Sequence, residues 1–351
     1  MLLFAACSDY GAYSFTAIQP DVHPDEVTEC GFTPVESSDF FSYDCNPVFE
    51  TSGEQWAPEV GATTFHVTEV LGHAWYQMWY VGVPSEESQG DYALGYAVSD
   101  DGTHWTSHTD NPQLSSPSAD AWDSSGMDAM QIVRDPVSEQ YVMLYQGYNL
   151  NSSEWGLGVA TSVDGRDFTR LPLNPVVDLS AGDGPVQGWC WPLGLTLGEV
   201  AGFTGYISGY DRSNGACEVY TIAAGDLTQW RPRPDKVLAA GPAGQFDDEG
   251  MISIAIAELD GERHMFYVGF GDWEERGSYR VTRSQYLGHA TSTDGKVWNK
   301  QGVIPIHRTT DGLINTVAAH TVGDRIHLWV TDDYDGHQAV GYFLYDPRAS
   351  E

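Results

Sequence analysis

The chain has 351 residues, with 50 Asp and Glu against 16 Lys and Arg, for a net charge of −34. A surplus of this size repels a polyanion and excludes DNA or RNA as a partner. Hydrophobic residues make up 41%, enough for a sizeable core, yet no apolar run reaches the ~18 residues of a membrane-crossing helix. The acidity itself reads as a solvated surface, since no Asp-x-Asp-x-Asp-Gly calcium loop occurs. Abundant Gly (38), Tyr (19) and Trp (12) with few helix signals point to an all-β protein.

Residues 1–7 end in Leu2-Leu3-Phe4-Ala5-Ala6-Cys7, which looks like the tail of a bacterial lipoprotein signal with Cys7 as the lipidated residue. The charged and hydrophobic regions that precede such a tail are mostly missing, as in a shortened start. A lipid on Cys7 would place the body outside the cytoplasm, touching the membrane only through its anchor. Residues 8–44, rich in Asp, Glu, Ser and Pro, read as a tether and irregular N-terminal segment. Four further cysteines allow three pairings, of which the local ones, Cys30–Cys45 and Cys190–Cys217, are favoured. Four free buried thiols are the alternative, and the spacings match no zinc site.

From residue 45 to 351 a repeat takes over. Ser99-Asp100-Asp101-Gly102-Thr103-His104-Trp105 returns at Ser162–Phe168 and at Ser292–Trp298, with a weaker copy at Asp226–Trp230. The aromatic ends fall at 105, 168, 230 and 298, a period of 63, 62 and 68 residues. Before each lies an apolar strand, Met78–Gly82, Met143–Gly147, Tyr206–Gly209 and Met265–Gly269. Further strands are predicted at Leu94–Val98, Met127–Val133 and Met251–Ala257. A fifth unit at Ile326–Val330 and Ala339–Tyr345 ends before its last strand, which the N-terminal segment is expected to supply. Repeats of four antiparallel strands imply a five-bladed β-propeller, with the Ser-x-Asp-Gly-x-x-Trp turn as scaffold.

The repeat resembles the five-bladed glycoside hydrolases, chiefly family 43 and its relatives in families 32, 68, 117 and 130. Trp56-Ala57-Pro58-Glu59 resembles the Trp-Ala-Pro-Asp/Glu signature of family 43. Met127-Asp128-Ala129-Met130 with Asp135-Pro136 resembles the segment of its pKa-modulating Asp. Asp248-Glu249-Gly250-Met251 resembles the segment of its general acid, with Met251 in place of a proline. The resemblance implies an inverting glycosidase with Glu249 as acid, Asp128 as the group that raises and orients it, and Glu59 as base or nucleophile. The family's base sits in an Asp-Pro segment of the first blade, where this chain has Asn46-Pro47. His320 resembles in placement a histidine used at an axial ion or water site; no other cofactor is implied.

Position in the repeat sorts the carboxylates independently. Asp123, Asp247 and Asp311 occupy similar places just before inner strands, 124 residues (about two blades) and then 64 residues apart, and read as scaffold. Asp128, Glu249 and Glu59 do not recur; their expected counterparts are Ile252, Ser125, and the neighbourhood of Met130 and Gln131. Charge placed where sister units are neutral marks a candidate site. Trp122, Trp189, Trp191 and Trp273 are candidate sugar-stacking residues, with interblade packing the alternative. The expected function is a monomeric, extracytoplasmic glycosidase acting on a poly- or oligosaccharide. The rival is a non-catalytic surface propeller that binds glycans.

Overall fold

The computed structural model describes residues 30–36, 39–51, 54, 56–70, 73–84, 92–118, 120–180, 194–197, 202–211, 213–276, 279–306 and 314–349. Residues 31–351 form one compact unit; of residues 1–30, which form another, only Cys30 is described. No helix occurs among the described residues.

Two short strands come first, β1 (Phe32–Pro34) and β2 (Phe40–Tyr43). A first antiparallel group holds β3 (Glu59–Val70), β4 (His73–Val83), β5 (Ala93–Ser99) and β6 (Thr106–Ser107). A second holds β7 (Gly126–Arg134), β8 (Tyr141–Asn149), β9 (Glu154–Ser162) and β10 (Thr169–Arg170), with β11 (Val177–Asp178) also on β9. The third is β12 (Gly194–Leu197), β13 (Phe203–Asp211), β14 (Ala216–Ala224) and β15 (Trp230–Leu238). The fourth is β16 (Gly250–Leu259), β17 (Glu262–Arg276), β18 (Tyr279–Ser292) and β19 (Asn299–Val303). One parallel bridge, Cys217 to Gly250, joins the third group to the fourth. The last comprises β20 (Thr316–Val322), β21 (Arg325–Tyr334) and β22 (His337–Tyr345).

β2 pairs with β22 and β1 with β2, so N-terminal strands complete the last group. This is the strand expected to be missing, and it comes from within the segment expected to be irregular. The leading strands β3, β7, β12, β16 and β20 neighbour one another in a closed cycle. Apolar side chains fill the space between successive groups: Trp79 with Met143, Leu144 with Ile207, Met251 with Tyr206, Val268 with Leu328, and Trp329 with Phe65. Every group thus buries both faces, which accounts for the continuous apolar runs in the sequence.

The repeated turn is a hydrogen-bonded plug. Ser99 Oγ accepts from the Gly102 N–H at 2.8 Å, and Asp101 Oδ1 accepts from the Thr103 and His104 N–H groups at 2.7 and 2.8 Å. Ser162 with Asp164, and Ser292 with Asp294, repeat the arrangement. Burial opposes ionisation of Asp164, yet those N–H donors hold its carboxyl at about 2. The glycine carbonyl then faces the preceding group. It accepts from Trp329 Nε1 at Gly102 (3.1 Å), from Trp79 Nε1 at Gly165 (2.6 Å) and from the Tyr206 hydroxyl at Gly295 (2.9 Å).

A second repeated device escaped the sequence reading. The side-chain amides of Asn46, Asn111 and Asn174 each bond both backbone groups of one residue on a third strand: Tyr342, Tyr96 and Val159. Asn46-Pro47 is one of a scaffold series with Asn111-Pro112 and Asn174-Pro175. Cys30 and Cys45 are both disulfide-bonded, as their expected pairing requires. Cys217 is disulfide-bonded too; its expected partner Cys190, like Cys7, lies outside the described residues.

Beneath β2, His264 Nδ1 lies 3.0 Å from His289 Nε2, the rings parallel within 8°, with Phe40 edge-on to His289. Burial first, then the neighbouring His264, pulls His289 down to about 3. Burial pulls His264 down too, against the nearby Glu262 and Asp260. These histidines favour folding when neutral. Their stabilisation is complete above the ordinary imidazole range near 6.5 and is lost as pH falls towards the folded value. Urea unfolding from pH 7 to 4 should therefore show a steady loss of stability. His289→Phe should flatten that slope; an unchanged slope would contradict the assignment.

Candidate active site

The inner strands share a defect that shapes the axis. Val60, Met127 and Met251 pair with Gly82, Gly147 and Gly269, and Thr63, Met130 and Ile254 pair with Tyr80, Tyr145 and Tyr267. Between those pairs, two residues on the inner strand face one on its partner: 61–62, 128–129 and 252–253. Such β-bulges turn the strand and re-aim its side chains. Ser253 carries the strain visibly, with φ at 44°. Its Oγ accepts from the Val317 N–H of the next group at 3.0 Å.

Around the bulges of β3, β7 and β16 lies a cavity of about 180 Å³. Its polar wall comprises Glu59, Thr63, Gln131, Ser253, Asn315 and Gln338, with Tyr92 at one side. Thr63 is only 3% exposed, and neither its Oγ1 nor Gln338 Oε1 has a hydrogen-bond partner among the described residues. Buried polar atoms are rarely left so, and two on one cavity wall mark a place for a polar guest. Gln131 Oε1 is already bonded by Thr64 Oγ1 at 2.9 Å.

Register settles the counterparts. Asp128 corresponds to Gly61 and Ile252, and Glu249 to Ser125, each immediately before a glycine of positive φ, Gly250 and Gly126. Glu59 pairs with Val83 as Gly126 pairs with Tyr148 and Gly250 with Phe270. Its counterparts are those two glycines. The expected match to Met130 and Gln131 is corrected: β3, β7 and β16 open at equivalent positions, Glu59, Gly126 and Gly250, and Met130 and Gln131 lie beyond the bulge of β7.

Of the three carboxylates, Glu59 is half-buried and lines the cavity. Asp128 sits at the bulge of β7, its side chain outside the described set. Glu249 is half-buried and held by its backbone: its N–H donates to Phe270 O at 3.2 Å, and its carbonyl accepts from the Cys217 N–H at 3.1 Å. It is not among the described side chains lining the cavity. Next to it, Asp248 Oδ2 accepts from the Gly244 N–H at 2.7 Å, while its buried Oδ1 has no partner among the described residues.

Asp123 and Asp247 are scaffold, as their recurrence indicates. Asp123 Oδ2 accepts from the Tyr145 hydroxyl and from Arg170 Nε, both at 2.8 Å. Asp247 Oδ2 accepts from the Tyr267 hydroxyl at 3.0 Å and Lys300 Nζ at 2.6 Å. Burial, reinforced by each carboxylate, pushes both tyrosine hydroxyls above their ordinary range. Asp311 lies outside the described residues.

Trp122 stacks on Tyr145 (centroids 5.8 Å, 28°) and closes over Gly147, as Trp56 does on Tyr80 and Phe246 on Tyr267. That recurring contact occupies the Trp122 ring in packing, away from the cavity wall. Trp189 and Trp191 lie outside the described residues, as does the side chain of Trp273. His320 meets His66 across the inner strands, ring centroids 6.4 Å apart. Burial, then His320 and Arg134, lowers His66 to about 4. Among the described residues no three His, Cys, Asp or Glu side chains gather into a group that could hold a metal ion.

No family model matches the sequence, and no curated protein matches it. Solved structures do match in fold. A glycosyl hydrolase from Bacteroides ovatus is 17% identical with a TM-score of 0.60, covering 91% of this chain and 94% of its own. A β-1,2-mannobiose phosphorylase from Listeria innocua, in complex with β-1,2-mannobiose, is 12% identical with a TM-score of 0.62, covering 89% and 98%. A thermostable family-43 glycoside hydrolase is 14% identical with a TM-score of 0.56, covering 81% and 88%. The likeness is one of fold, and it agrees with the resemblance that the repeat carries.

Scaffold and site carboxylates should separate in stability. Asp123→Ala strands Arg170 and the Tyr145 hydroxyl and should cost about 3 kcal/mol in urea unfolding. Glu59→Gln should change stability by less than about 0.5 kcal/mol. Equal effects would contradict the division.

Proposed function

We propose that the five groups are the blades of a five-bladed β-propeller, and that the protein is a glycoside hydrolase acting at its axial cavity. The observation that carries the reading is the cavity wall: among the described residues the carboxylate of Glu59 stands beside two polar atoms without a partner, on Thr63 and Gln338. A fold shared with glycosyl hydrolases and a mannobiose phosphorylase supports it.

Hydrolysis of a glycosidic bond needs one carboxyl group that gives its proton to the leaving oxygen and another that activates water or attacks carbon. In the proposed scheme Glu249 protonates the leaving oxygen as its bond to the anomeric carbon breaks. Glu59 takes a proton from the water that adds to the opposite face. Asp128 keeps Glu249 protonated until then. An inverting outcome goes with carboxyl groups about 6.5–9.5 Å apart, against about 5–5.5 Å for a retaining one. The disulfide-bonded cysteines fit an oxidising, extracytoplasmic setting, with lipid attachment at Cys7 and a monomeric body as further parts of the proposal.

One observation favours the non-catalytic reading: Glu59 lines the cavity and Glu249 does not, among the described side chains. In that reading the same cavity holds a glycan without cleaving it.

Purified protein assayed on aryl glycosides and on plant and algal polysaccharides should release reducing sugar. Glu249→Gln and Glu59→Gln should each lower turnover by about 10²–10⁴-fold with melting temperature unchanged. Full turnover in Glu249→Gln would remove that residue from the mechanism. Binding without turnover across the panel would establish the second reading.

A further inference from the structure

We propose that a groove on the outer edge of the third group, separate from the axial cavity, binds the anionic group of an acidic saccharide through Arg231 and Arg233. In this sheet β15 is an edge strand, paired with β14. Arg231 and Arg233 stand two residues apart on it, where the ladder with β14 turns irregular after Pro232. Both are exposed and both line one groove of about 350 Å³, together with Thr204 and Gln229. That volume falls within the roughly 300–1,000 Å³ of small-ligand sites.

The charge distribution makes the pair unusual. The chain has 50 acidic residues to 16 basic ones. Most other described cations are held by carboxylates, among them Arg170 by Asp123, Lys300 by Asp247 and Arg325 by Asp346. The side chains of Arg231 and Arg233 have neither an ion pair nor a hydrogen bond among the described residues. The carboxylate that shares their groove, Asp226, is engaged by its own turn. Its Oδ1 accepts from the Thr228 N–H (2.8 Å), the Thr228 hydroxyl (2.7 Å) and the Gln229 N–H (3.1 Å). Two uncommitted guanidinium groups against one committed carboxylate leave the groove net positive.

Guanidinium presents paired, coplanar N–H donors that fit the oxygens of a carboxylate or a sulfate ester. Thr204 and Gln229 add neutral partners of the kind sugar hydroxyls use. The negative charge elsewhere on the protein is screened beyond about 8 Å at physiological salt, so it does not cancel contacts made inside the groove. That the anion belongs to a saccharide rests on the glycan-processing reading; the oxyanion chemistry does not.

The test is calorimetric titration of the whole protein at physiological salt with three probes: trigalacturonate, a sulfated galactan trisaccharide and neutral maltotriose. At least one acidic probe should bind, and which one distinguishes carboxylate from sulfate. Maltotriose should bind at least tenfold more weakly. Arg231→Ala/Arg233→Ala should lose at least tenfold in affinity for the acidic probe, with melting temperature and aryl-glycoside turnover unchanged. Arg231→Lys/Arg233→Lys should recover part of it. The proposal fails if neither acidic probe binds, if maltotriose binds equally well, or if the double alanine variant binds as the native protein does. Acidic-probe binding by a protein that cleaves no glycan would overturn the hydrolase reading and leave this site standing.

Discussion

The structure depends on one hydrogen bond made three times: an aromatic N–H or O–H of one sheet group enters the glycine carbonyl of the next group's Ser-x-Asp-Gly turn. Trp79 and Trp329 are fully buried, so each indole N–H needs a partner or incurs its desolvation cost. The turn can offer its carbonyl because Ser and Asp have already satisfied its amides. Packing alone would allow neighbouring sheets to slide; this bond fixes their register. In the weaker copy Asp226 still caps Thr228 and Gln229, and Trp230 Nε1 bonds Leu227 O at 3.1 Å.

Fixed register is what brings the bulged strand starts together around one cavity. Behind them, Asp123 and Asp247 tie the entering turns to Tyr145 with Arg170 and to Tyr267 with Lys300. In the first group Ala57 stands where those aspartates stand, and the Tyr80 hydroxyl turns to Glu54 and Asn111. That first group is also the one whose inner strand opens with a carboxylate, Glu59. The departures from the repeat thus collect at the axis, while the repeated parts supply rigidity.

Much of the fold was legible because its signals are local and repeated. The aromatic strands and the Ser-x-Asp-Gly turns are each contiguous in sequence, and the fifth unit's missing strand followed from counting. The candidate site was legible only in part. Asp128 and Glu249 stood out because sister units are neutral there. Thr63 and Gln338 did not, since a threonine in a β run and a glutamine after a turn are ordinary until a bulge and a cavity give them meaning. The counterparts of Glu59 are the glycines that open the sister strands, Gly126 and Gly250, and strand pairing across the sheet, which no local pattern displays, is what identifies them. Asn46 stands where the family resemblance implies a catalytic aspartate, while its bonds to Tyr342 show the same clamp as Asn111 and Asn174.

The central claim is that the axial cavity is where this protein meets a sugar. A crystal structure of Glu249→Gln soaked with an oligosaccharide that the native protein binds or cleaves tests it most directly. A sugar ring should occupy that cavity, within hydrogen-bond distance of Glu59, Thr63 Oγ1 and Gln338 Oε1. A sugar bound elsewhere, with the cavity holding only water, would contradict it.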